Sequence, residues 1–265
     1  MAEDVDVFTG FPAPENIPQF EADPRFQVLI GSTEGETILS INNKREPFDN
    51  VKVREAVAHA IDRQAIIDGA MFGYGTPIGT HFAPHNPDYV DLTEMSSYDP
   101  EKSKALLAEA GFPRESFDTV MCTHLHFDHC GGSCTRDQEG SSKPTFPLAT
   151  YHVDQEELAY AREPDRRSRA SYLRDLWEPL EAHGQLALTS GEVEVSPGVS
   201  LLATPGHTQN HRSVLIRSGD ETACFLADLV PTPSHLKPHY VRAYDVLPVV
   251  AMETKERLLR QAREE

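Results

Sequence analysis

The stretch Thr123-His-Leu-His-Phe-Asp-His129 places three imidazoles and a carboxylate within six residues. On an extended segment His124 and His126 fall on one face, because side chains alternate with a period of two. If the chain then turns into a helix at Asp128, this carboxylate and His129 face another side of the same cleft. Neutral imidazoles with a carboxylate suit zinc, and also manganese, cobalt or iron. The stretch therefore predicts a centre for two divalent metal ions.

Two predicted strands bring further ligands to this centre. Residues 117–122 are β-branched and apolar, and they predict a short strand that carries the histidines at its carboxyl end, where open α/β folds place their sites. Residues 199–203 alternate like a second strand and lead into Thr204-Pro-Gly-His-Thr-Gln-Asn-His211, before a strand resumes at residues 213–216. The sharp turn at Pro-Gly presents His207 outward, as the third nitrogen for the first ion. His211 lies farther on, so we expect it to hydrogen-bond behind the ligands.

A third apolar run, residues 223–227, is typical of a buried strand, contains Cys224 as an ordinary buried residue, and is followed by Asp228. A carboxylate at the end of such a strand is costly unless it is paired or bound to a cation. We therefore expect the two ions to share Asp228. Cys122, Cys130 and Cys134 flank the metal motif, and we expect inert or supporting thiols there rather than ligands or a disulfide.

The motifs HLHFDH, TPGHT and FLADL, in this order over residues 117–265, resemble the metallo-β-lactamase-fold hydrolase superfamily. Residues 231–235 and 243–245 are similar to its lactonase and organophosphate-hydrolase branch. The resemblance implies an αββα sandwich and a binuclear site with a bridging hydroxide as nucleophile. It also implies a last histidine ligand after the final helix, here residues 253–263, and an aspartate-glycine turn before the metal motif. Neither is found, and His235, with His239 behind it, is the nearest substitute ligand.

The front of the chain resembles a different family. Residues 2–113, through the runs 47–63, 73–77 and 98–111, are similar to part of one lobe of the solute-binding proteins of peptide-type ABC transporters. We expect strands at residues 26–30 and 37–41, a helix capped by Asn50 that extends through Ile61 to Ile66, and a helix opened by Asp99 and Pro100. The predicted fold class is thus α/β. Residues 1–113 form a solute-binding-protein-like scaffold or cover, and residues 114–265 form a metallo-β-lactamase-like catalytic part truncated at both ends.

Hydrolysis of esters is the predicted activity. Two cations that share a water lower its pKa and polarise the substrate's carbonyl or phosphoryl oxygen, and Asp128 can carry a proton to the leaving group. The branch resemblance implies small neutral substrates, namely lactones, aryl esters or phosphotriesters, with promiscuity among them. The predicted apolar lining of the substrate pocket is Phe127, Tyr151, Trp177 and Tyr240.

Composition narrows the partners and leaves two alternatives open. The 265 residues carry a formal net charge of −18, which excludes nucleic acid and anionic membrane as expected partners. Without a signal peptide or an apolar span we expect a cytoplasmic protein. A sheet without its first strands exposes edges and an apolar face, which predicts a homodimer. The alternatives to a hydrolase are a peptide-binding or solute-binding module and a non-catalytic scaffold stabilised by metal.

Overall fold

The chain divides into two units between Pro113 and Arg114. This division is seen in a computed structural model, which describes residues 6–11, 13–137 and 139–264. The start of the chain, on which the absence of a signal peptide was predicted, falls largely outside the described residues, since these begin at Asp6. Each unit is described by itself below.

The first unit contains four α-helices in its described residues. They are α1 (Ile17–Glu21), α2 (Val51–Ala60), α3 (Arg63–Ala70) and α4 (Pro100–Glu109). The side chain of Asn50 accepts a hydrogen bond from the Lys52 amide (3.0 Å), and that of Asp99 accepts one from the Lys102 amide (2.9 Å). Both predicted caps are therefore confirmed. Helices α2 and α4 pack together, and the hydroxyl of Ser103 donates to the Ala56 carbonyl (2.8 Å).

Two predictions for this unit were wrong. Residues 26–30 and 37–41 are not strands, and the described part of the unit forms no strand at all. A strand needs a neighbouring backbone to bond its N–H and C=O groups, and none pairs here, so that apolar side chains such as Leu29 stay exposed (83%). The long helix is also interrupted. It stops at Ala60 because the Asp62 side chain accepts from the Ala65 amide (2.9 Å) and caps a separate helix, α3.

The second unit begins with a parallel sheet. The first half of the second unit contains β1 (Thr119–Met121), α5 (Phe127–Cys130), β2 (Cys134–Arg136), β3 (Ser142–Pro144), β4 (Thr150–Asp154), α6 (Gln155–Arg162), α7 (Glu178–Ala182) and β5 (Leu186–Thr189). Strand β4 pairs in parallel with β1 on one side and β5 on the other, whereas β2 and β3 form a small antiparallel hairpin. A buried cluster that includes Leu125, Tyr151, Val153, Trp177 and Leu180 forms the core of this half.

The rest of the second unit is an antiparallel sheet covered by a helix. The strands β6 (Val193–Ser196), β7 (Val199–Ala203), β8 (Arg212–Ser218) and β9 (Glu221–Phe225) pair in sequence order, and α8 (Pro248–Glu264) follows. Leu202 and Leu215 from the sheet are buried with Ala251 and Leu258 of α8. The predicted strands at residues 117–122, 199–203 and 213–216 are thus confirmed within a residue or two.

Strand β9 differs from its prediction. The sequence predicted a buried strand, but all five residues of β9 are exposed, including Cys224. The reason is topological, because β9 pairs with β8 alone and forms the edge of its sheet. The three sheets with their flanking helices are nevertheless the mixed α/β fold that the sequence predicted. Of the helices that the structure describes, none combines the length and apolar character that crossing a bilayer requires.

Candidate metal centre

The carboxyl end of β1 and the loops around β8 bring the predicted histidines together. The Arg212 amide, at the start of β8, donates to the Thr123 carbonyl (2.8 Å), which joins the segment after β1 to the segment after β7. As a result, His124, His126 and His207 converge, and one nitrogen of each lies within 4.8 Å of the others. The ring nitrogens His207 Nε2 and His126 Nδ1 are 3.1 Å apart. All three side chains are buried.

The donor atoms of this group fit a bound cation. The Nε2 atoms of His124 and His126 are buried, and neither has a hydrogen-bond partner among the described residues. A buried polar atom without a partner costs about 1–3 kcal/mol, so such atoms are rare unless something absent from the protein bonds them. Burial also keeps these rings neutral, because desolvation and the neighbouring imidazoles lower the pKa of His126 to about 4 and lower that of His124 further. Neutral imidazole is the form that binds metal.

A second group shares His124 and adds a carboxylate. His124, His129 and Asp228 offer ligand atoms within 4.8 Å of one another. His129 Nε2 lies 3.1 Å from Asp228 Oδ1, and His207 Nε2 lies 3.4 Å from Asp228 Oδ2, so the carboxylate stands between the two histidine groups. Asp128 is farther out, with its side chain 60% exposed and Oδ2 3.6 Å from His129 Nε2. Asp228 thus lies next to both histidine groups, and its sharing between two ions stays a prediction.

Two charged residues that the sequence reasoning did not select complete the surroundings of this carboxylate. Arg242 Nη1 is 2.8 Å from Asp228 Oδ2, and Asp245 Oδ1 is 3.1 Å from His207 Nδ1. Burial alone would raise the pKa of Asp228, but hydrogen bonds from His129 and Arg242 hold it well below its usual range. The residues 243–245 were noted only for their resemblance to known hydrolases, and no local signal marks Arg242.

A buried glutamate ties together the two segments that carry the histidines of the first group. Glu157 Oε1 accepts from the Leu125 amide (3.1 Å) and the Tyr172 hydroxyl (2.9 Å), and Oε2 accepts from the Thr208 hydroxyl (3.1 Å). Leu125 separates two of the histidines, and Thr208 follows the third. Desolvation raises the pKa of Glu157. The acidic run that begins at the last residue of β4, residues 154–157, is the signal that could have found it.

The structure places His211, His235 and two of the predicted pocket residues in different surroundings. His211 is fully buried, with Nδ1 2.9 Å from Thr204 Oγ1, and its ring centre is 5.2 Å from that of His124. His235 lies on an exposed turn, where Nδ1 is 2.8 Å from Thr232 Oγ1, and neither group of converging ligands includes it. Phe127 and Tyr240 are exposed aromatic side chains.

The other two predicted pocket residues are not placed as expected. Tyr151 and Trp177 are buried in the core cluster of the parallel sheet rather than on an open surface. Tyr151 lies on the central strand β4, where its hydroxyl donates to the Ser133 carbonyl (3.2 Å), so it cannot face a substrate. Two other aromatic rings lie beside the site, namely the buried Tyr172, whose centre is 4.9 Å from that of His126, and the exposed Tyr244, whose centre is 6.0 Å from that of His207.

The cysteines near the motif take no part in either group. Desolvation raises the pKa of Cys122 and of Cys134 to about 11 and raises that of Cys130 as well, and all are free thiols. A thiol in this state is a poor nucleophile at neutral pH. The expectation of inert thiols is consistent with this geometry.

Comparison with known proteins identifies relatives of both parts of the chain. The model of the metallo-beta-lactamase superfamily matches residues 90–265, and that of bacterial extracellular solute-binding proteins, family 5 middle, matches residues 1–161. Heme-binding protein A of Haemophilus influenzae is 38% identical over 109 residues, which are 41% of this chain and 20% of that protein. The chain thus spans about a fifth of the length of such curated relatives.

Two solved structures resemble the second part. A probable metal-dependent hydrolase from Staphylococcus aureus is 30% identical with a TM-score of 0.54, over 60% of this chain and 55% of that chain. The dizinc quorum-quenching lactonase AidC, solved with a product, is 20% identical with a TM-score of 0.50, over 66% of this chain and 60% of that chain, which shows likeness of fold. Both resemblances read from the sequence are therefore confirmed. The chain belongs to the metallo-beta-lactamase superfamily through residues 90–265 and to family 5 of the bacterial extracellular solute-binding proteins through residues 1–161.

Proposed function

We propose that this protein is a metal-dependent hydrolase of small neutral esters. The observation that carries the proposal is the convergence of His124, His126 and His207, in which two buried Nε2 atoms have no hydrogen-bond partner among the described residues. Membership of the superfamily and the 30% identity to a probable metal-dependent hydrolase support it. The donor set of imidazoles and carboxylates suits zinc, with manganese, cobalt and iron as other possibilities.

The binuclear arrangement is part of the proposal. His124, His126 and His207 would hold the first ion, and Asp128, His129 and the shared Asp228 would hold the second, with His235 as a further ligand if its turn moves. A bound divalent ion supplies Lewis-acid activation of water and of the substrate's carbonyl or phosphoryl oxygen. The protein's own contribution is to orient the imidazoles, which Glu157 does through Leu125 and Thr208. Asp128, exposed at the rim, can take a proton on Oδ2 and deliver it to the leaving group.

The substrate class follows from the rim of the site. Phe127 and Tyr244 are exposed aromatic rings on segments that carry Asp128 and Asp245, and Tyr240 is exposed on the turn before Arg242. Apolar rings favour neutral aromatic substrates over charged ones. We therefore propose phosphotriesters, aryl esters and lactones as substrates, with little discrimination among them.

The test uses the full chain after treatment with chelator and reloading with zinc. Hydrolysis of paraoxon, of p-nitrophenyl acetate and of a γ-lactone is measured for the wild type, for His207→Asn and for His183→Asn, an exposed histidine that belongs to neither group. We expect turnover of at least one substrate, and a loss of at least about a hundredfold in His207→Asn only. A zinc-replete chain that hydrolyses none of them, or an unchanged rate in His207→Asn, removes the proposal.

Two alternatives are decided by companion measurements. A peptide-binding or solute-binding module, favoured by the match to family 5, should release heat with a peptide mixture in the presence of chelator, because such binding needs no metal. A scaffold stabilised by metal should bind zinc and lose melting temperature with chelator, yet show no turnover. The homodimer and the cytoplasmic location remain predictions, and light scattering that shows a monomer would remove the first.

A further inference from the structure

The guanidinium of Arg242 lies where charge is needed beside the shared carboxylate. Nη1 is 2.8 Å from Asp228 Oδ2, and Nη2 is 2.9 Å from His207 Nδ1. Nη2 also donates to the backbone carbonyl of Asp228 and is 3.2 Å from Asp245 Oδ1. The arginine side chain is 7% exposed. A fixed positive charge therefore already neutralises the carboxylate that a second metal ion would use.

The arginine is held in this place by its own segment. The Arg242 amide donates to Asp245 Oδ2 (2.8 Å), and the Asp245 amide donates back to the Arg242 carbonyl (3.1 Å), which closes a turn. The guanidinium stacks over the ring of Tyr244, with 4.5 Å between the guanidinium carbon and the ring centre. Stacking and two carboxylate partners are typical of an arginine built into a site, and a lysine cannot reproduce them.

Both oxygens of Asp228 are occupied in this arrangement. Oδ1 faces His129 Nε2 at 3.1 Å, and Oδ2 faces Arg242 Nη1. A divalent ion that binds Asp228 together with His129 must therefore share the carboxylate with the guanidinium or displace it. Sharing is unfavourable, because two like charges held a few ångströms apart in a partly buried site repel strongly. The group of His124, His126 and His207 contains no carboxylate that a guanidinium could neutralise. Arg242 contacts this group at His207 Nδ1.

We propose that Arg242 is a resident cation at the second metal position, so that the second ion binds only when the guanidinium leaves Asp228. The inference rests on the metal centre proposed above and adds an order of filling. The first ion binds tightly, and the second binds more weakly by competition. The protein therefore holds one ion per chain over a range of free metal concentrations at which a chain without this arginine holds two.

The experiment is a zinc titration of the full chain in buffers of stepped free zinc, with bound metal counted by elemental analysis. The variants are Arg242→Met, which removes the charge, and Arg242→Lys, which keeps the charge without the fork. Arg260→Met is the matched control, since Arg260 is exposed on α8. We expect the affinity for the second ion to rise at least about tenfold in Arg242→Met, less in Arg242→Lys, and not at all in the control.

The outcomes are separable from the fate of the hydrolase proposal, because the titration measures stoichiometry and not turnover. The inference is overturned if the wild type binds two ions with equal affinity, or if Arg242→Met binds the second ion no more tightly than the wild type. Should Arg242→Met fail to fold without metal, Arg242→Lys decides the matter. It must bind the second ion more tightly than the wild type does, by less than the roughly tenfold increase expected for Arg242→Met. An affinity for the second ion equal to that of the wild type overturns the inference. A chain that fills as expected but hydrolyses no ester removes only the hydrolase proposal.

Discussion

Glu157 shows how one carboxylate organises a site that it does not enter. It accepts three hydrogen bonds, from Leu125, Tyr172 and Thr208, and these donors come from three separate segments of the second unit. The residues next to Leu125 and Thr208 are the three histidines of the first group. A buried acceptor with three donors holds these segments together, and hence stabilises the directions of the imidazoles.

Replacing Glu157 should weaken metal binding without touching a ligand. In Glu157→Gln an NH2 group replaces one oxygen and meets a donor, so a buried bond is lost and the free energy of unfolding should fall by about 1–3 kcal/mol. We expect zinc affinity to fall about 10-fold to 100-fold, as for other residues that orient metal ligands. Zinc titration and denaturant melts check this, with the exposed neighbour Glu156→Gln as control. Unchanged zinc affinity in Glu157→Gln would contradict the role.

The buried histidines should make the metal-free protein sensitive to acid. Desolvation, with His207 nearby, lowers the pKa of His126 to about 4 and that of His211 to about 3, below the unfolded value of roughly 6.5. Below that value the unfolded chain binds more protons than the folded one, so stability falls as the pH falls from about 6.5 towards 4. His129 has the opposite effect on stability, because its hydrogen bond to Asp228 raises its pKa in the folded protein. Denaturant midpoints of the chelated protein should decrease over this range, and a constant midpoint would be the contrary result.

At this scale the sequence was a good guide to which histidines converge and a poor one to the residues that support them. The convergence of His124, His126 and His207 could be predicted from spacing, because alternation on a strand and a turn at Pro205 and Gly206 are local features, and their role as metal ligands stays a prediction. Arg242 and Glu157 act through contacts across 14 and 32 positions of the chain, and local pattern does not report such contacts. Tyr151 and Trp177 were misplaced because an aromatic residue has the same local signature in a core and in a pocket.

The turn that carries His207 is anchored to the last helix. The Leu247 amide donates to the Gly206 carbonyl (2.9 Å), the Val246 amide to the His207 carbonyl (3.0 Å), and the Thr254 hydroxyl to the Pro205 carbonyl (2.8 Å). Helix α8 comes so close that a Cβ on Gly206 would lie 2.4 Å from Ala251 Cα, and Gly206 also has φ +147°. Only glycine satisfies both conditions.

The variant Gly206→Ala should therefore separate α8 from the His207 turn. We expect the free energy of unfolding to fall by about 1–3 kcal/mol from overpacking, with weaker zinc binding because His207 shifts with its turn. The control is Gly132→Ala, where an added Cβ meets nothing within 4 Å. Thermal melts and zinc titration of both variants decide the matter, and equal stability of the two would argue against this anchor.

Among elements, helices with side-chain caps were predicted best. Asn50 and Asp99 mark their helix starts by a bond within three residues, so the local signal suffices. The strands failed in two ways, and both failures concern partners. Residues 26–30 have strand composition but no pairing strand, and β9 has apolar composition but an edge position. Strand pairing depends on the rest of the sheet, so the composition of one run of residues does not predict it.

On the scale of the whole molecule, both candidate ligand groups lie in the second unit. Among the described residues, the members of these groups fall between positions 124 and 228, after the division at Pro113. Zinc should therefore slow amide hydrogen exchange around β1, α5, the His207 turn and the start of α8, because binding raises the free energy of local opening there. Exchange in residues 13–113 should not change. If zinc slowed amide hydrogen exchange equally in both units, the assignment of the metal ligands to the second unit would be wrong.

The family memberships could be read from motifs, because each motif is local and ordered along the chain. How the two parts share work could not be read, since the match covers only a fifth of the curated solute-binding relative and about half of the structural relative. A motif gives information about the segment that carries it and not about how two segments act together. The two parts also overlap, because residues 90–161 are matched by both family models.

The edge strand β9 also affects how the protein behaves in concentrated solution. Phe225 on β9 is 59% exposed and Ile216 on the adjacent β8 is 42% exposed. An apolar patch therefore borders a row of backbone groups that pair with no further strand among the described residues. The formal net charge of −18 keeps such molecules apart at low ionic strength. Salt shortens the range of that repulsion to about 10 Å at 0.1 M, while the apolar patch and the strand edge attract as before. Colloidal stability should therefore decrease as salt is added, with turbidity rising first in buffers of high ionic strength.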